Sequence, residues 1–348
     1  MLLFFGAAKK SKSKIINTVN LKSVIKLKKK ILEMLKNAGA NFVSGENIAE
    51  IMKVSRTAIW KHVQSLRKRG YQISSSERLG YKLDKIPDLL LPEIVQSELD
   101  TKIIGVNYIY KNSVKSTNEL AKKLAYDGAA SGTVIVAEEQ TGGKGRFERN
   151  FFSPKEKGIW FSVILRPQCM AKDAPKFTLM AAVALARAME RFNLHAEIKW
   201  PNDIMFDGRK LVGILTEMSA EIGHINYIVV GIGINVNISR AEFPESIREI
   251  AASLSEMAGE NLSRTKFFRA VLEEFDKLYT TKNFDEVFKI WRKYNNTLGK
   301  KVTVLSAETG DIFTGMAVDI DADGALIVDT DNGRKIVYAG DVSIRPAN

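Results

Sequence analysis

With 348 residues, 45% hydrophobic and 26% charged, the chain has an ordinary globular composition, which excludes wholesale disorder and provides for two or three domains of the usual ~100–200 residues. A single cysteine, Cys169, excludes an internal disulfide, and the scattered His62, His195 and His224 have no zinc-ligand spacing, so no metal site is assignable. The net charge of +12 is uneven: residues 1–86 hold 19 Lys+Arg against 5 Asp+Glu, and the remainder 33 against 35.

The apolar run Met1 to Ala8 is too short to span a bilayer, and its basic residues Lys9 to Lys14 follow it, the reverse of a secretory signal. Residues 1–20 are therefore read as a disordered extension of a cytoplasmic protein with no membrane partner. From Leu21 to Asn37 apolar residues recur at three- and four-residue steps, which predicts an amphipathic helix. A second helix fits Gly45 to Met52, and a third runs from an N-cap at Ser55 through Ile59, Val63 and Leu66 to Gly70. Tyr71–Ile73 and Tyr81–Leu83 then read as a hairpin with a polar tip.

Helix, tight turn, helix and basic hairpin make a winged helix-turn-helix over residues 21–86. Ser55, Arg56, Thr57 and Lys61, on the outer side of the third helix, are the candidates for base edges and phosphates in a major groove, and Arg78 in the hairpin for the neighbouring backbone. The bland alternatives are a solvated basic tail or a small helical protein-binding domain. Fold pattern and charge agreeing in one segment favours DNA.

Pro87 and Pro92 bracket the end of the charge excess and place a boundary near residue 86. In residues 87–297, strands Thr133–Glu138, Ile159–Arg166 and Tyr227–Gly231 mix with helices Lys176–Phe192, Lys266–Tyr279 and Phe284–Asn296, an α+β pattern around one main sheet. In residues 298–348 the texture changes to Val302–Leu305, Ile312–Asp319, Leu326–Asp329 and Ile336–Ala339, separated by Gly and Asp turns. This predicts a small β-barrel that leans on its neighbour.

The chemistry concentrates in three islands. Glu139 to Arg149, directly after a strand, combines three glycines, which let backbone approach a ligand, with Lys144, Arg146 and Arg149, a loop suited to anions. It lacks the Gly-Lys-Ser/Thr ending of a Walker loop. Lys199-Trp200-Pro201-Asn202-Asp203 puts a lysine at a strand end before a proline turn, with Trp200 expected in the core. Lys210 opens a hydrophobic strand, and Gly231 to Asn237, read as following another strand, offers glycines and asparagines to a ligand.

Ser116-Thr117-Asn118, Gln140, the Gly-Lys-Gly-Arg loop, Lys199 to Asp203, Lys210 to Leu215 and Gly233-Ile234-Asn235 occur in the order and spacing of bacterial biotin–protein ligases. With the winged-helix start, Gly324-Ala325-Leu326 and Val342 to Arg345, the chain resembles the bifunctional ligase-repressor subgroup. The resemblance implies an SH3-like barrel at the C-terminus, and biotin and ATP, with Mg²⁺, as substrates. It implies activation of biotin to biotinyl-AMP, then transfer to a lysine of the biotin carboxyl carrier domain of acetyl-CoA carboxylase. It also implies an operator DNA partner and a ligand-promoted homodimer.

By the same resemblance Lys199 and Arg146 are catalytic. Ser116, Thr117, Asn118, Gln140, Lys144 and Gly145, together with Arg146 and Lys199, bind biotin. Arg146, Arg149, Lys210 and Asn235 bind ATP or the adenylate. Two departures stand out: the family's loop usually reads Gly-Arg-Gly-Arg, and Lys144 keeps the charge but loses the bidentate fork. A tryptophan that some relatives place over adenine is missing after Asn237, leaving Phe243 as a substitute. The rivals are a lipoate–protein ligase, disfavoured by the N-terminal reader and C-terminal barrel, and a sensor without catalysis, disfavoured by the retained Lys199, Arg146 and Arg149.

Overall fold

The computed structural model describes residues 27–28, 30–221, 223–307, 310–338 and 340–344. The chain divides into two compact units between Asp88 and Leu89. In the first, helix α1 (residues 30–37) buries Ile31, Leu32 and Leu35; its expected start at Leu21 lies outside the described residues. Helix α2 (Gly45–Met52) is capped by Ser44, whose hydroxyl accepts from the Glu46 amide, and stops at Lys53 in the left-handed conformation. Helix α3 (Arg56–Arg67) is capped by Ser55 and buries Ile59, Val63 and Leu66.

Strands β1 (Gln72–Ser76) and β2 (Gly80–Lys85) form the antiparallel hairpin, and the Arg67 guanidinium ties α3 to it by donating to the Ile73 carbonyl at 2.6 and 2.9 Å. Gly80 has φ +100°, and a Cβ there would stand 2.1 Å from the Val43 carbonyl oxygen, so the bridge from Val43 to Tyr81 requires glycine.

The second unit is built on a seven-stranded sheet in the order β3 (Tyr108–Lys111), β4 (Val134–Ala137), β5 (Gly158–Leu165), β9 (His224–Asn235), β8 (Arg209–Glu221), β7 (Asp203–Phe206), β6 (Glu197–Lys199). Only β3 and β4 run parallel. Alternation along the strands feeds two cores. Ile135, Ile164 and Val229 meet Ala121 and Ala125 of α5 (Thr117–Tyr126) on one face. Val134, Val136, Phe161, Val163 and Val230 meet α6 (Ala174–Glu190) and α9 (Arg264–Thr281) on the other, joined by α4 (Pro92–Val95). Burial on both faces is why β4 reads as an unbroken apolar run and β5 as one broken only at Ser162.

Short helices α7 (Glu245–Arg248) and α8 (Leu254–Ala258) follow β9, and α10 (Phe284–Tyr294) leads to the C-terminal strands. There the structure carries the small β-rich domain expected from the sequence. Strands β10 (Lys301–Ser306), β11 (Ile312–Ile320), β12 (Leu326–Thr330), β13 (Gly333–Val337) and β14 (Gly340–Ile344) form an antiparallel sheet in the order β13-β12-β11-β10-β14. Strand β14 returns to pair antiparallel with β10, which sets the last strand of the domain beside the first.

Elements expected from the sequence differ mostly by shifts of one to three residues at their ends, whereas α4, α5, α7, α8, β3, β7 and β14 had not been expected. The helix expected over Phe284–Asn296 stops at Tyr294, where the Asn295 side chain accepts from the amides of Thr297 and Leu298. Strand β9 is much longer than its sequence signal, because β5 and β8 pair with it up to Asn235 and Ile234 respectively. Gly233 and Asn235 therefore lie inside the strand, which had been expected to end at Gly231.

Candidate active site

Every residue proposed for the small-molecule site lines one cleft of roughly 630 Å³ on the second unit. Its polar end is built at the N-terminus of α5. Ser116 is the N-cap and accepts from the Glu119 amide, which exposes the first-turn amides to partners outside the helix. Gln140 Oε1 accepts from the Thr117 amide at 2.8 Å and from its hydroxyl at 3.0 Å, while Gln140 Nε2 donates to Ser153 Oγ at 3.1 Å.

Asn118 Nδ2 donates to Glu217 Oε2 at 2.9 Å and to the Leu215 carbonyl at 3.3 Å. Ser162 Oγ lies 2.5 Å from Asn118 Oδ1 and 2.8 Å from Thr117 Oγ1, and with one proton to give it serves one of them at a time. Ser116, Thr117 and Asn118 are all buried. Such a network fixes the directions in which donors and acceptors face the cleft.

The floor is glycine. Gly213 faces Gly233 across the β8–β9 ladder, and Gly231 faces Leu215. A Cβ on Gly233 would come within 2.4 Å of the Phe151 ring, and one on Gly231 within 2.0 Å of Asn118 Oδ1. Strand position alone left this floor unread, although the glycines inside apolar runs were its signal.

The loop of residues 142–150 is folded on itself by Gly145 N to Arg149 O (2.7 Å) and Phe151 N to Gly143 O (2.8 Å). Lys144 is ion-paired with Glu148, which raises the lysine's pKa and lowers the carboxyl's through their hydrogen bond and charges. The guanidinium carbons of Arg146 and Arg149 lie 5.2 and 5.8 Å from the Phe147 ring centre. Phe147 and Glu148 both take positive φ, +54° and +55°, a strained conformation of the kind that persists at ligand clamps.

Lys199 ends β6 opposite Asp203 of β7, with the turn between them carrying a cis Trp200–Pro201 bond. The turn is pinned from both sides. Trp200 N donates to Thr297 Oγ1 at 2.9 Å, buried Trp200 Nε1 donates to the Gly324 carbonyl at 3.1 Å, and Asn202 Nδ2 donates to the Ile214 carbonyl at 2.8 Å. The C-terminal sheet thus sets the height of the Lys199 strand end. Among the described residues the Lys199 ammonium has no ion pair, whereas Lys210 is paired with Asp203 at 2.6 Å. Asn235, expected beside a nucleotide, also serves the fold by donating to the Ala252 carbonyl at 3.0 Å. Phe243 is buried on the cleft wall beside Phe152.

In the first unit Ser55, Arg56, Thr57 and Lys61 are exposed on α3, and Arg78 is exposed at the hairpin tip.

Comparison with known proteins gives these sites a lineage. Residues 110–235 match the Biotin/lipoate A/B protein ligase family, residues 297–345 the Biotin protein ligase C terminal domain and residues 28–82 an HTH domain. The chain is 38% identical over 322 residues to the bifunctional ligase/repressor BirA of Bacillus subtilis (strain 168), covering 91% of this chain and 98% of that one. The chain belongs to the bifunctional biotin ligase/repressor family.

Its likeness to the Escherichia coli (strain K12) ligase/repressor is 29% over 95% of this chain and 98% of the relative. The biotin protein ligase of Aquifex aeolicus, solved with biotin and ATP, superposes with a TM-score of 0.59 at 30% identity, covering 70% of this chain and all of that one. Against this family background, sequence reasoning missed Ser162, Ser153 and Glu217, which orient the named polar residues, and Phe151, which covers the glycine floor. Ser162 and Glu217 sit singly in strands β5 and β8 with no local signal.

Proposed function

We propose that this family member activates biotin with ATP and passes it to a carrier lysine at the cleft, while its first unit reads operator DNA. In the first step a biotin carboxylate oxygen attacks the α-phosphorus of ATP and pyrophosphate leaves, giving biotinyl-AMP. In the second, an unprotonated lysine amine of a biotin carboxyl carrier domain attacks the acyl carbonyl, AMP leaves, and an amide forms as the nitrogen gives up a proton. Neither step needs a side-chain nucleophile. The need is for positive charge where two anions meet and for their alignment.

The observation that carries this reading is the cleft's polarity. Hydrogen-bonding groups fixed by Gln140, Ser162 and Glu217 stand at one end, suited to the ureido ring through Ser116, Thr117 and Asn118. Lys199, Arg146, Arg149 and Lys144 supply cations on the same cleft. Lys199, without an ion pair among the described residues, is assigned to the carboxylate and α-phosphate oxygens. Arg146 and Arg149 are assigned to the phosphates with Lys210 nearby, and Lys144 and Gly145 to closing the loop on biotin. Asn235 and Phe243 are assigned to the nucleotide side.

The Mg²⁺ that accompanies ATP is assigned to the triphosphate. No group of three or more possible ligands occurs among the described residues, and the cleft carboxylate Asp203 is held by Lys210.

Functionally the chain reads as a DNA-binding segment 21–86, a catalytic segment 87–297 and an accessory segment 298–348. Two recognition helices are needed to meet a two-fold operator, which argues for a homodimer favoured by the adenylate. We assign the reaction to the cytoplasm, where ATP and the carrier domain are expected to meet; none of the described helices is long and apolar enough to cross a membrane.

The test is transfer of biotin to a purified acidic carrier domain with ATP·Mg, with Lys199→Ala as control and lipoate as competitor. Transfer that depends on biotin and collapses in the control supports the ligase. Tight biotin binding without transfer leaves a sensor-repressor, and preferential use of lipoate moves the chain to the lipoate ligases.

A further inference from the structure

The outer stripe of α3 holds a side chain that phosphate binding does not call for. Arg56, Thr57, Trp60 and Lys61 are all exposed, and their spacing puts them on neighbouring lines of the helix surface. The inward side is complete without them, since Ile59, Val63 and Leu66 are each 0% exposed. Trp60 is 52% exposed, while the other three tryptophans, Trp160, Trp200 and Trp291, are at most 2% exposed. About half of this indole's surface faces water on a basic stripe, which leaves a large ring face available to a partner.

We infer that Trp60 is a base-reading residue for double-stranded DNA that seats its ring against thymine methyl groups in the major groove and so selects thymine at a fixed place in each half-site. This rests on the DNA-binding reading of the first unit. Charge identifies the partner: the segment 1–86 carries 19 Lys+Arg against 5 Asp+Glu, which attracts a polyanion. Arg56, one turn before Trp60, and Lys61, beside it, are placed to hold phosphates while the ring enters the groove between them.

Of the base edges in the major groove, thymine alone presents an apolar group, its C5 methyl, and an indole offers a large apolar surface with a single donor. Duplex RNA is disfavoured because its deep, narrow major groove does not admit a helix.

The experiment uses the full chain with biotin and ATP·Mg. A randomised DNA duplex library is selected at fixed salt, and each thymine of the selected site is then replaced singly by uracil, which removes only the methyl. The expected result is a 3- to 5-fold weaker Kd at one or two thymines per half-site, about the effect of burying one methyl group. That sensitivity is lost in Trp60→Ala and kept in Trp60→Phe. Because Trp60 is the exposed tryptophan, the acrylamide-accessible fluorescence of the wild type also falls on binding that duplex. Circular dichroism of both variants checks that α3 is formed. A selected duplex whose binding ignores every uracil, or a Trp60→Ala protein with the wild-type uracil profile, overturns the role of Trp60 alone. Failure of the wild type to enrich any duplex, or preference for duplex RNA, overturns the DNA reading and this role with it.

Discussion

Replacing Gly231 by alanine tests whether Asn118 touches biotin. The added Cβ would stand 2.0 Å from Asn118 Oδ1 and 2.6 Å from its Cγ, so the amide must retreat by about 1 Å or more to reach an ordinary contact distance. That retreat lengthens the bonds to Ser162 (2.5 Å) and Glu217 (2.9 Å) to or beyond the hydrogen-bond limit. Asn118 and Ser162 are 6% and 0% exposed, so water does not readily replace what is lost. Overpacking together with a stranded buried polar group costs about 2–3 kcal/mol of stability. If the same amide holds the ureido ring, its displacement removes about 2 kcal/mol of binding, or roughly 30-fold in Kd. Titration calorimetry with biotin gives the second quantity and denaturant unfolding the first. Ser162→Ala, which frees Asn118 without pushing it, is expected to weaken biotin far less. A Gly231→Ala protein that is destabilised yet binds biotin as the wild type does would refute the assignment of Asn118.

Other perturbations separate chemistry from architecture. Lys199→Ala is expected to slow pyrophosphate release by about 100- to 1000-fold, the usual effect of removing one transition-state charge donor; the absence of an ion pair to it among the described residues predicts an almost unchanged unfolding midpoint. A loss of biotin binding matching the loss of rate would move its role to the ground state. Arg264→Met strands Glu138, which is 0% exposed and otherwise accepts from the Leu90 amide at 2.8 Å, and is expected to cost about 3–5 kcal/mol. Adding Glu138→Gln should restore much of that in urea titrations, and no restoration would mean that the arginine acts through packing. Glu242 has its pKa lowered from 4.5 to about 2, first by Lys157 and then by the Ser239 amide and hydroxyl. A depressed acid adds stability above pH 4.5 that disappears as pH falls toward 2. With 41% of its side chain exposed, the contribution is below about 1 kcal/mol. Glu242→Gln should flatten the stability profile between pH 5 and 3, and an unchanged slope there would show that Glu242 contributes nothing. A Lys144→Arg protein is expected to release biotinyl-AMP more slowly, by trapping with carrier-free filtration; equal leakage would end the argument from the bidentate fork.

Much of the fold was legible because local physics decides it. Ser55 announced a cap, Ile59, Val63 and Leu66 a buried helix face, and the unbroken Val134–Ala137 run a strand covered on both sides. The cleft was legible where function sits in contiguous islands: the glycine-basic loop and the Lys199 turn carry their residue types side by side. What remained hidden depends on partners distant in sequence. Ser162 and Glu217 are ordinary strand residues until β5 and β8 bring them to Asn118. Gly233 looked like a segment after the strand because a glycine signal cannot tell a turn from a strand that another side chain must approach.

The sequence by itself determined the periodicities, the caps, the position of the charge excess and the resemblance that named the chemistry, since each is a property of neighbouring residues. Tertiary structure decided how far β9 runs, which glycines become floor, how Trp200 fastens the Lys199 turn to the C-terminal sheet through Gly324, and that β14 returns to pair with β10. Those outcomes rest on hydrogen bonds and close contacts between segments up to 124 residues apart, whose geometry exists only once the chain has folded.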